Sequence, residues 1–347
     1  MARVLVSIVT RNASRDLELL VPSLRAQTFR DFSILATDNG SQDGTRATLS
    51  FFQKALGPSM PLVLRASREN LGYTGGHNGA IEQAVSSGAE WILLLNTDVV
   101  LSPEYLERVV QAGDRDPCCA ALTGKIFRAE GDTLSPTSTL DTVGLRMTRS
   151  GRHFDVAAGE EDRGLYEEPA EVFGVSGCVA LYRVAALVDV KIATGFLDDD
   201  FFIYREDVDL AWRLRGRGWT ARYVPNALAW HRRRSLPERR QSMSALANLH
   251  SVKNRFLLRI NNAGSAHLAA TLWRTFPRDI LVLAGCLTFE RTSFHALRWL
   301  ALNRNRLLAK RRDILSRRTV SDADLLRWFG SDPQGGRVRI PGDPGRT

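Results

Sequence analysis

Two acidic sites in the sequence are of a kind that can do chemistry. The first is a single carboxylate, Asp98, which follows the apolar run Trp91-Ile92-Leu93-Leu94-Leu95 and the polar pair Asn96-Thr97. The second is Asp198-Asp199-Asp200, with Glu206-Asp207 and Asp209 a few residues later. Carboxylates hold divalent cations and take protons from hydroxyls, so both functions are open to these residues. Asp98 could equally cap the helix near Ser102-Pro103-Glu104. Acids in the first turn of a helix that continues through Val208, Leu210-Ala211 and Leu214 stabilise it with no catalytic purpose. Glu206 and Asp207 are adjacent, however, and cannot share one helix face, so only one can serve the dipole. His231, after Ala229-Trp230, reads as a packed or surface histidine when taken alone.

The elements around these residues alternate. Val4-Leu5-Val6-Ser7-Ile8-Val9-Thr10 is a strand pattern, and Leu17, Leu20, Val21 and Leu24 recur at helical spacing behind it. A second strand over 32–37 runs into Asp38-Asn39-Gly40-Ser41, with a helix expected near 46–56. A third, over 61–65, leads into Asn70-Leu71-Gly72-Tyr73-Thr74-Gly75-Gly76-His77-Asn78-Gly79, read as a Gly-rich loop before a helix at 80–87. The apolar run 91–95 then reads as a strand buried on both faces. This order predicts an α/β protein with a mainly parallel sheet. Ligands bind such sheets beyond the carboxyl ends of the strands, so Thr10, Asp38, the Gly-rich loop and Asp98 should gather at one edge. The Gly-rich loop matches neither a dinucleotide fingerprint nor a P-loop, and tight-turn chemistry alone would account for it. Residues 129–171 read as a long irregular loop, and Gly174-Val175-Ser176-Gly177 as a bend where a ligand can approach the backbone. A strand is expected over 219–225, and 227–231 leads into the basic run Arg232-Arg233-Arg234.

With 347 residues and 44% hydrophobic content the chain can bury a real core. The opening MARVLVSIVTRN reads as a first strand and not as a signal peptide. Four cysteines without CxxC spacing point to neither a zinc site nor a disulfide framework, and a reducing, cytosolic setting is expected. The net charge of +9 is unevenly spread: residues 232–347 carry 23 Lys/Arg against 8 Asp/Glu, whereas the preceding residues are net acidic. Such asymmetry calls for an anionic partner, nucleic acid or a membrane surface.

Taken together and in order, VSIVTRN, ATDNGSQDGT, NLGYTGGHNGA, LLLNTDVVL, FFIYREDVDLAWRLRGRGW and AWH resemble the family-2 glycosyltransferases, particularly their rhamnosyltransferase-like branch. The resemblance covers residues 4–231. It implies a GT-A nucleotide-diphospho-sugar transferase fold, with a mainly parallel Rossmann-like sheet and a helical C-terminal extension. It assigns residues 1–235 to a catalytic domain (a nucleotide-binding half, 1–100, and an acceptor half, 101–235); beyond it, residue pattern predicts basic amphipathic helices over 236–330 and Gly/Pro content a disordered tail over 331–347. Thr10 and Asp38 would hold the base; Asn70 and the Gly-rich stretch, with Gly76 and Asn78, would flank the nucleoside. Asp98 stands in the place of the metal-binding aspartate and His231 in that of the histidine completing the metal shell. Asn96 replaces the first aspartate of the DxD motif, and would bond ribose or a metal-bound water. The cofactor implied is Mn²⁺ or Mg²⁺, with imidazole favouring Mn²⁺. Sugar transfer with inversion needs a base for the acceptor hydroxyl, a role assigned to Asp207, with Glu206 orienting it or the acceptor. The donor would be dTDP-rhamnose or a similar nucleotide sugar, and the acceptor a saccharide or lipid-linked saccharide in surface polysaccharide assembly.

The basic C-terminal third reads as amphipathic helices, with apolar runs too short to span a bilayer. Either they pack on the catalytic domain with a solvated basic side, or they rest on the inner face of the cell membrane; the second is the expectation. A nucleotidyltransferase on a similar sheet is the rival enzyme, disfavoured because it leaves the Glu206-Asp207 helix without a task. A nucleic-acid-binding protein is the rival of another class, disfavoured because the basic stretch holds no recognisable binding module, and no nucleic-acid partner is expected.

Overall fold

The computed structural model describes residues 2–233, 244–288 and 293–331. Its first half is built as the periodicities predict. β1 (Val4–Thr10), α1 (Ser14–Arg25), β2 (Phe32–Asn39), α2 (Thr45–Leu56), β3 (Leu62–Ser67), α3 (Gly72–Ser87) and β4 (Trp91–Leu95) alternate along the chain. β1 pairs in parallel with both β2 and β4, and β2 with β3. All five residues of β4 are buried, as expected for a central strand covered on both faces. In register, Thr10 lies beside Asp38 and Ile8 beside Leu95, so the loops after these strands leave from one edge.

The second half continues the same sheet in mixed directions. After β4 come β5 (Val99–Leu101), α4 (Tyr105–Asp114), β6 (Cys119–Glu130), β7 (Ser135–Thr142), β8 (Leu145–Thr148), β9 (His153–Asp155), β10 (Ala170–Glu171), β11 (Val179–Arg183), α5 (Val184–Asp189), α6 (Glu206–Gly216) and β12 (Thr220–His231). The strand order is β10-β12-β6-β11-β4-β1-β2-β3, with β5 beside β12 and β7 beside β6. β11 runs antiparallel to β4 and β6, while β12 is parallel to β6. The expected parallel arrangement therefore describes β3, β2, β1 and β4, and gives way beyond them. A buried apolar run has the same appearance in either direction, and an antiparallel neighbour needs no crossover helix to reveal it.

Three local readings are corrected. The Gly-rich stretch is not a loop: α3 starts at Gly72, so Gly75, Gly76 and Asn78 are helical. A Cβ on Gly76 would lie 2.7 Å from the Val9 side chain, so the glycine sets how closely α3 approaches β1. Residues 129–171 are not irregular throughout, because they contain β7, β8, β9 and β10; β7 is mostly polar and half exposed, which hides it from a search for apolar alternation. The strand expected over 219–225 does not end there but runs on to His231 as β12, whose register shifts between Val224 and Leu228 and so absorbs Pro225.

The C-terminal elements are α7 (Ala245–Asn262), α8 (Ser265–Thr288), α9 (Phe294–Leu302), α10 (Arg304–Ser316), α11 (Asp322–Leu326) and β13 (Phe329–Gly330). The expected boundary at 235/236 falls within 234–243, outside the described residues, as does the expected disordered tail beyond Ser331. Past that boundary the helices share a core with the catalytic elements: Leu257, Leu258, Leu307, Leu325 and Phe329 pack with Phe201, Val208 and Trp212. β13 adds in parallel to β8, so the last described strand joins a small sheet made from the acceptor half. Several basic groups are neutralised internally. Lys310 pairs with Asp198 and Asp200, Arg306 grips Asp200 through two nitrogens at 2.8 Å, and Arg255 and Arg259 both pair with Asp279. Among the described residues no helix is long and apolar enough to cross a membrane.

Candidate active site

β4 ends at Leu95, and the next residues turn toward β11, the Asn96 amide donating to the Cys178 carbonyl at 2.9 Å. Asp98 follows. β12 runs antiparallel to β5, and His231 at its end is paired in register with Val99, next to Asp98. The His231 Nε2 atom lies 3.4 Å from Asp98 Oδ1, and its Nδ1 lies 2.8 Å from Asp141 Oδ2. Burial alone would lower the imidazole pKa; Cys178, Asp141 and Asp98 reverse this and hold it well above the ordinary value. Burial likewise opposes ionisation of Asp141, but its hydrogen bond to His231 prevails and the carboxyl titrates lower than usual.

The acidic pair approaches from the start of α6. Asp207 Oδ2 accepts from the Gly177 N–H at 3.1 Å, and Oδ1 from the Val208 N–H at 2.8 Å. Tyr73 of α3 donates its hydroxyl to the Gly177 carbonyl at 2.6 Å. A Cβ at Gly177 would lie 2.9 Å from that hydroxyl, so the glycine permits both contacts. The Gly-Ser-Gly bend expected to admit a ligand thus positions Asp207. Burial pushes the Asp207 pKa up to about 6, and burial together with the neighbouring charge on Asp207 raises Glu206 well above its usual range. Glu206 is buried, and its Oε2 has no hydrogen-bond partner among the described residues.

These groups meet in one cavity of about 330 Å³. Asn96, Asp98, Glu206, Asp207 and His231 all line it, so two acidic patches more than a hundred residues apart in sequence share one space. Tyr73, Asp141, His153, Asp155, Arg205 and Arg233 complete much of the wall. Asp141, His153 and Asp155 come from the stretch read as an irregular loop, and its unusual length was the one sign that it held function. The other expected residues lie outside this lining. Thr10 is buried at the end of β1, its Oγ1 without a hydrogen-bond partner among the described residues. Asp38, fully buried, accepts from the Ser41 N–H and pairs with Arg46. Asn70 accepts from the Gly72 N–H. Gly76 packs against β1, and the Asn78 side chain is engaged by Leu197 and Asp199.

The donor chemistry fits a divalent cation between Asp98 and His231. Adjacent ligands of an octahedral ion with bonds near 2.1 Å are about 3 Å apart, close to the separation of Oδ1 and Nε2. Asp141 on the far nitrogen fixes the ring orientation, as carboxylates behind metal-bound histidines do. Asp141, Cys178 and His231 also offer three ligand atoms within 4.8 Å of one another. In that alternative set Asp141 would have to give up its hydrogen bond to Nδ1, and a thiol is a soft partner for Mn²⁺ or Mg²⁺, so the Asp98–His231 pair is the better match.

The family model for glycosyl transferase family 2 matches residues 5–190. The chain belongs to this family. It is 31% identical over 245 residues to an N-acetylglucosaminyl-diphospho-decaprenol L-rhamnosyltransferase of Mycobacterium tuberculosis, covering 65% of this chain and 75% of the relative. It is 22% identical over 220 residues to a poly-beta-1,6-N-acetyl-D-glucosamine synthase of Staphylococcus aureus, covering 63% of this chain and 47% of that protein. Among solved structures, GalNAc-T7 with UDP, GalNAc and Mn²⁺ superposes with a TM-score of 0.56 at 12% identity, over 74% of this chain and 48% of that one. The mannosyltransferase PcManGT of Pyrobaculum calidifontis, in complex with GDP-Man and Mn²⁺, does so with a TM-score of 0.51 at 17% identity, over 93% of this chain and 85% of that one. The GT-A fold expected from the motifs is therefore the fold of this family-2 glycosyltransferase, and the nucleotidyltransferase reading falls away.

Proposed function

We propose that this family-2 enzyme transfers a sugar, with inversion, from a nucleoside-diphosphate donor to the hydroxyl of a lipid-linked saccharide in surface polysaccharide assembly. The donor fitting this reading is dTDP-rhamnose, because the mycobacterial relative is named as a rhamnosyltransferase acting on a diphospho-decaprenol acceptor. The observation that carries the proposal is the shared cavity. The metal-ligating pair Asp98 and His231 and the carboxylate pair Glu206 and Asp207 line the same space.

In this mechanism Asp98 and His231 would hold a divalent cation, Mn²⁺ or Mg²⁺, which would supply neutralisation of the charge that builds on the departing diphosphate. Asp141 keeps the His231 ring turned toward Asp98. Asn96, in the same wall, bonds the donor ribose or a coordinated water. Thr10, Asp38 and Asn70 bound the nucleoside end, where Thr10 Oγ1, without a hydrogen-bond partner among the described residues, is available to a ligand. Gly76 and Asn78 act at one remove, through the placement of α3 and of residues 197–199. Asp207 takes the proton from the acceptor hydroxyl as its oxygen attacks the anomeric carbon, and the Gly177 N–H aims the carboxylate. Glu206, whose pKa burial and the charge on Asp207 raise, orients Asp207 or the acceptor.

The test compares nucleotide release from dTDP-rhamnose and other nucleotide sugars, in the presence of a lipid-linked saccharide and Mn²⁺. Asp207→Asn is expected to abolish transfer while nucleotide affinity stays near wild type. Retained turnover would place the base elsewhere.

A further inference from the structure

α8 is amphipathic in the reverse of the usual sense. Its inward face is polar: His267, Thr271 and Thr275 are buried, and Asp279 turns toward Arg255 and Arg259 of α7. Its outward face is apolar. Leu268, Leu272, Phe276 and Ile280 recur every four residues, flanked by Trp273 and Leu281, and all six are exposed, Trp273 to 67% and Leu281 to 71%. A helix in contact with water presents the opposite arrangement.

From this reversal we infer that the outward face of α8 is a membrane-docking surface, lying in the plane of an anionic bilayer with its apolar side chains among the lipid chains. Three features select lipid over a protein partner. The only acid in α8 is Asp279, which is engaged by α7, so the outward face carries no negative charge. The charge at its edge is cationic: Arg274, beside the stripe on α8 itself, lies over the Trp273 ring at 4.3 Å. An apolar face edged by arginine, with a tryptophan at the boundary, suits an interface that is greasy below and negatively charged above. The stripe from Leu268 to Leu281 is roughly 20 Å long, enough to lie along a bilayer and too short to cross one. The inference builds on the lipid-linked acceptor proposed above, which gives such a surface its purpose, but its test reads binding alone and so succeeds or fails independently of that reading.

The experiment floats the full-length protein on vesicles of phosphatidylcholine with and without phosphatidylglycerol. Wild type is expected to rise with the anionic vesicles, and its tryptophan fluorescence to be quenched by lipids brominated in the acyl chain. The variant Leu272→Ser/Trp273→Ser/Phe276→Ser, which alters only exposed positions, is expected to keep its melting temperature and to lose vesicle partitioning by about tenfold or more. Wild type that remains at the bottom with both vesicle types, or a triple variant that floats equally well, overturns the proposal. So does a wild-type dimer that the triple variant abolishes while neither protein floats, since the face would then be an interface between two copies of the chain. Should the triple variant misfold, acyl-chain quenching of the wild type decides alone.

Discussion

Asp207 has two properties that oppose each other. A carboxyl titrating at about 6 is poised to accept a proton near neutral pH, yet the burial that raises it also makes its ionised form costly to the fold. The first property predicts that kcat/KM climbs about tenfold per pH unit below 6 and levels off above it, as Asp207 deprotonates; a flat profile across that range would remove Asp207 from the role of base. The second runs the other way. Because the folded state binds this proton more tightly than the unfolded chain does, the contribution to stability is greatest below the ordinary value of 3.8 and declines as pH rises through about 6. At pH 8 the ionised group costs at most about 3 kcal/mol, so Asp207→Asn, whose side-chain oxygen can still accept from Gly177, is expected to melt no lower than wild type and at pH 8 to melt higher. A variant that loses activity and gains stability separates a functional carboxylate from a structural one. Asp141 belongs to the same scale. Asp141→Asn weakens the hold on the far side of the His231 ring, and Mn²⁺ affinity in the presence of a nucleoside diphosphate is expected to fall by about 10- to 100-fold in a calorimetric titration.

Between these residues and the fold lies the segment leading into α6, whose backbone is unusual. Phe202, Tyr204 and Arg205 all have positive φ, at 65°, 70° and 70°, a region bulky side chains rarely enter. Asn254 of α7 holds them there: its amide donates to the carbonyls of Phe201, Ile203 and Tyr204 at 2.8–3.0 Å. His250, one turn earlier, stacks on Phe202 with ring centroids 4.9 Å apart. Asn254→Ala leaves three carbonyls without this donor and frees the strained segment to relax. The expected result is a loss of about 2–3 kcal/mol, measured by denaturant unfolding, and a drop in kcat exceeding the rise in KM, because the start of α6 and with it Asp207 moves. An unchanged kcat would show that α6 holds its own start. None of this was legible in FFIYRED, which contains no glycine to announce positive φ; the conformation is imposed by contacts from fifty residues away. By contrast, the placement of Asp98 was legible, since a buried apolar strand followed by polar residues has few alternatives and strand ends define the sheet edge. The Gly-rich stretch misled for a physical reason: glycines lower helix propensity, and only the closeness of Val9 to Gly76 shows why a helix starts among them.

Over the whole molecule, the charge asymmetry of the sequence has a structural counterpart. The basic C-terminal third and the acidic segment before α6 are two sides of one joint. Asp198 is completely buried and accepts from Thr194, Asn261 and Lys310, while Asp209 accepts from Asn261, Asn262 and Arg213. Asp198, Asp200 and Asp209 of the acidic cluster that drew attention in the sequence are therefore structural, whereas Glu206 and Asp207, the pair proposed to act on the acceptor, face the cavity. Sequence alone could not separate the two, because, Thr194 and Arg213 apart, the partners that claim Asp198, Asp200 and Asp209 lie about 50 to 110 residues further on. The joint implies that the catalytic elements do not stand without the helices: a chain ending after Arg233 would expose Phe201, Val208 and Trp212 and is expected to be insoluble or unfolded. Lys310 offers a finer test. Removing one partner of a buried pair leaves the other charge uncompensated, so Lys310→Met is expected to destabilise by about 3–5 kcal/mol. Adding Asp198→Asn removes the stranded charge and keeps an acceptor for Asn261, so the double variant should recover much of that loss despite carrying one more substitution. Chemical denaturation of the wild type, both single variants and the double variant measures the coupling directly. If the two losses simply add, Lys310 and Asp198 act independently, and this ion pair is not part of what holds the helices.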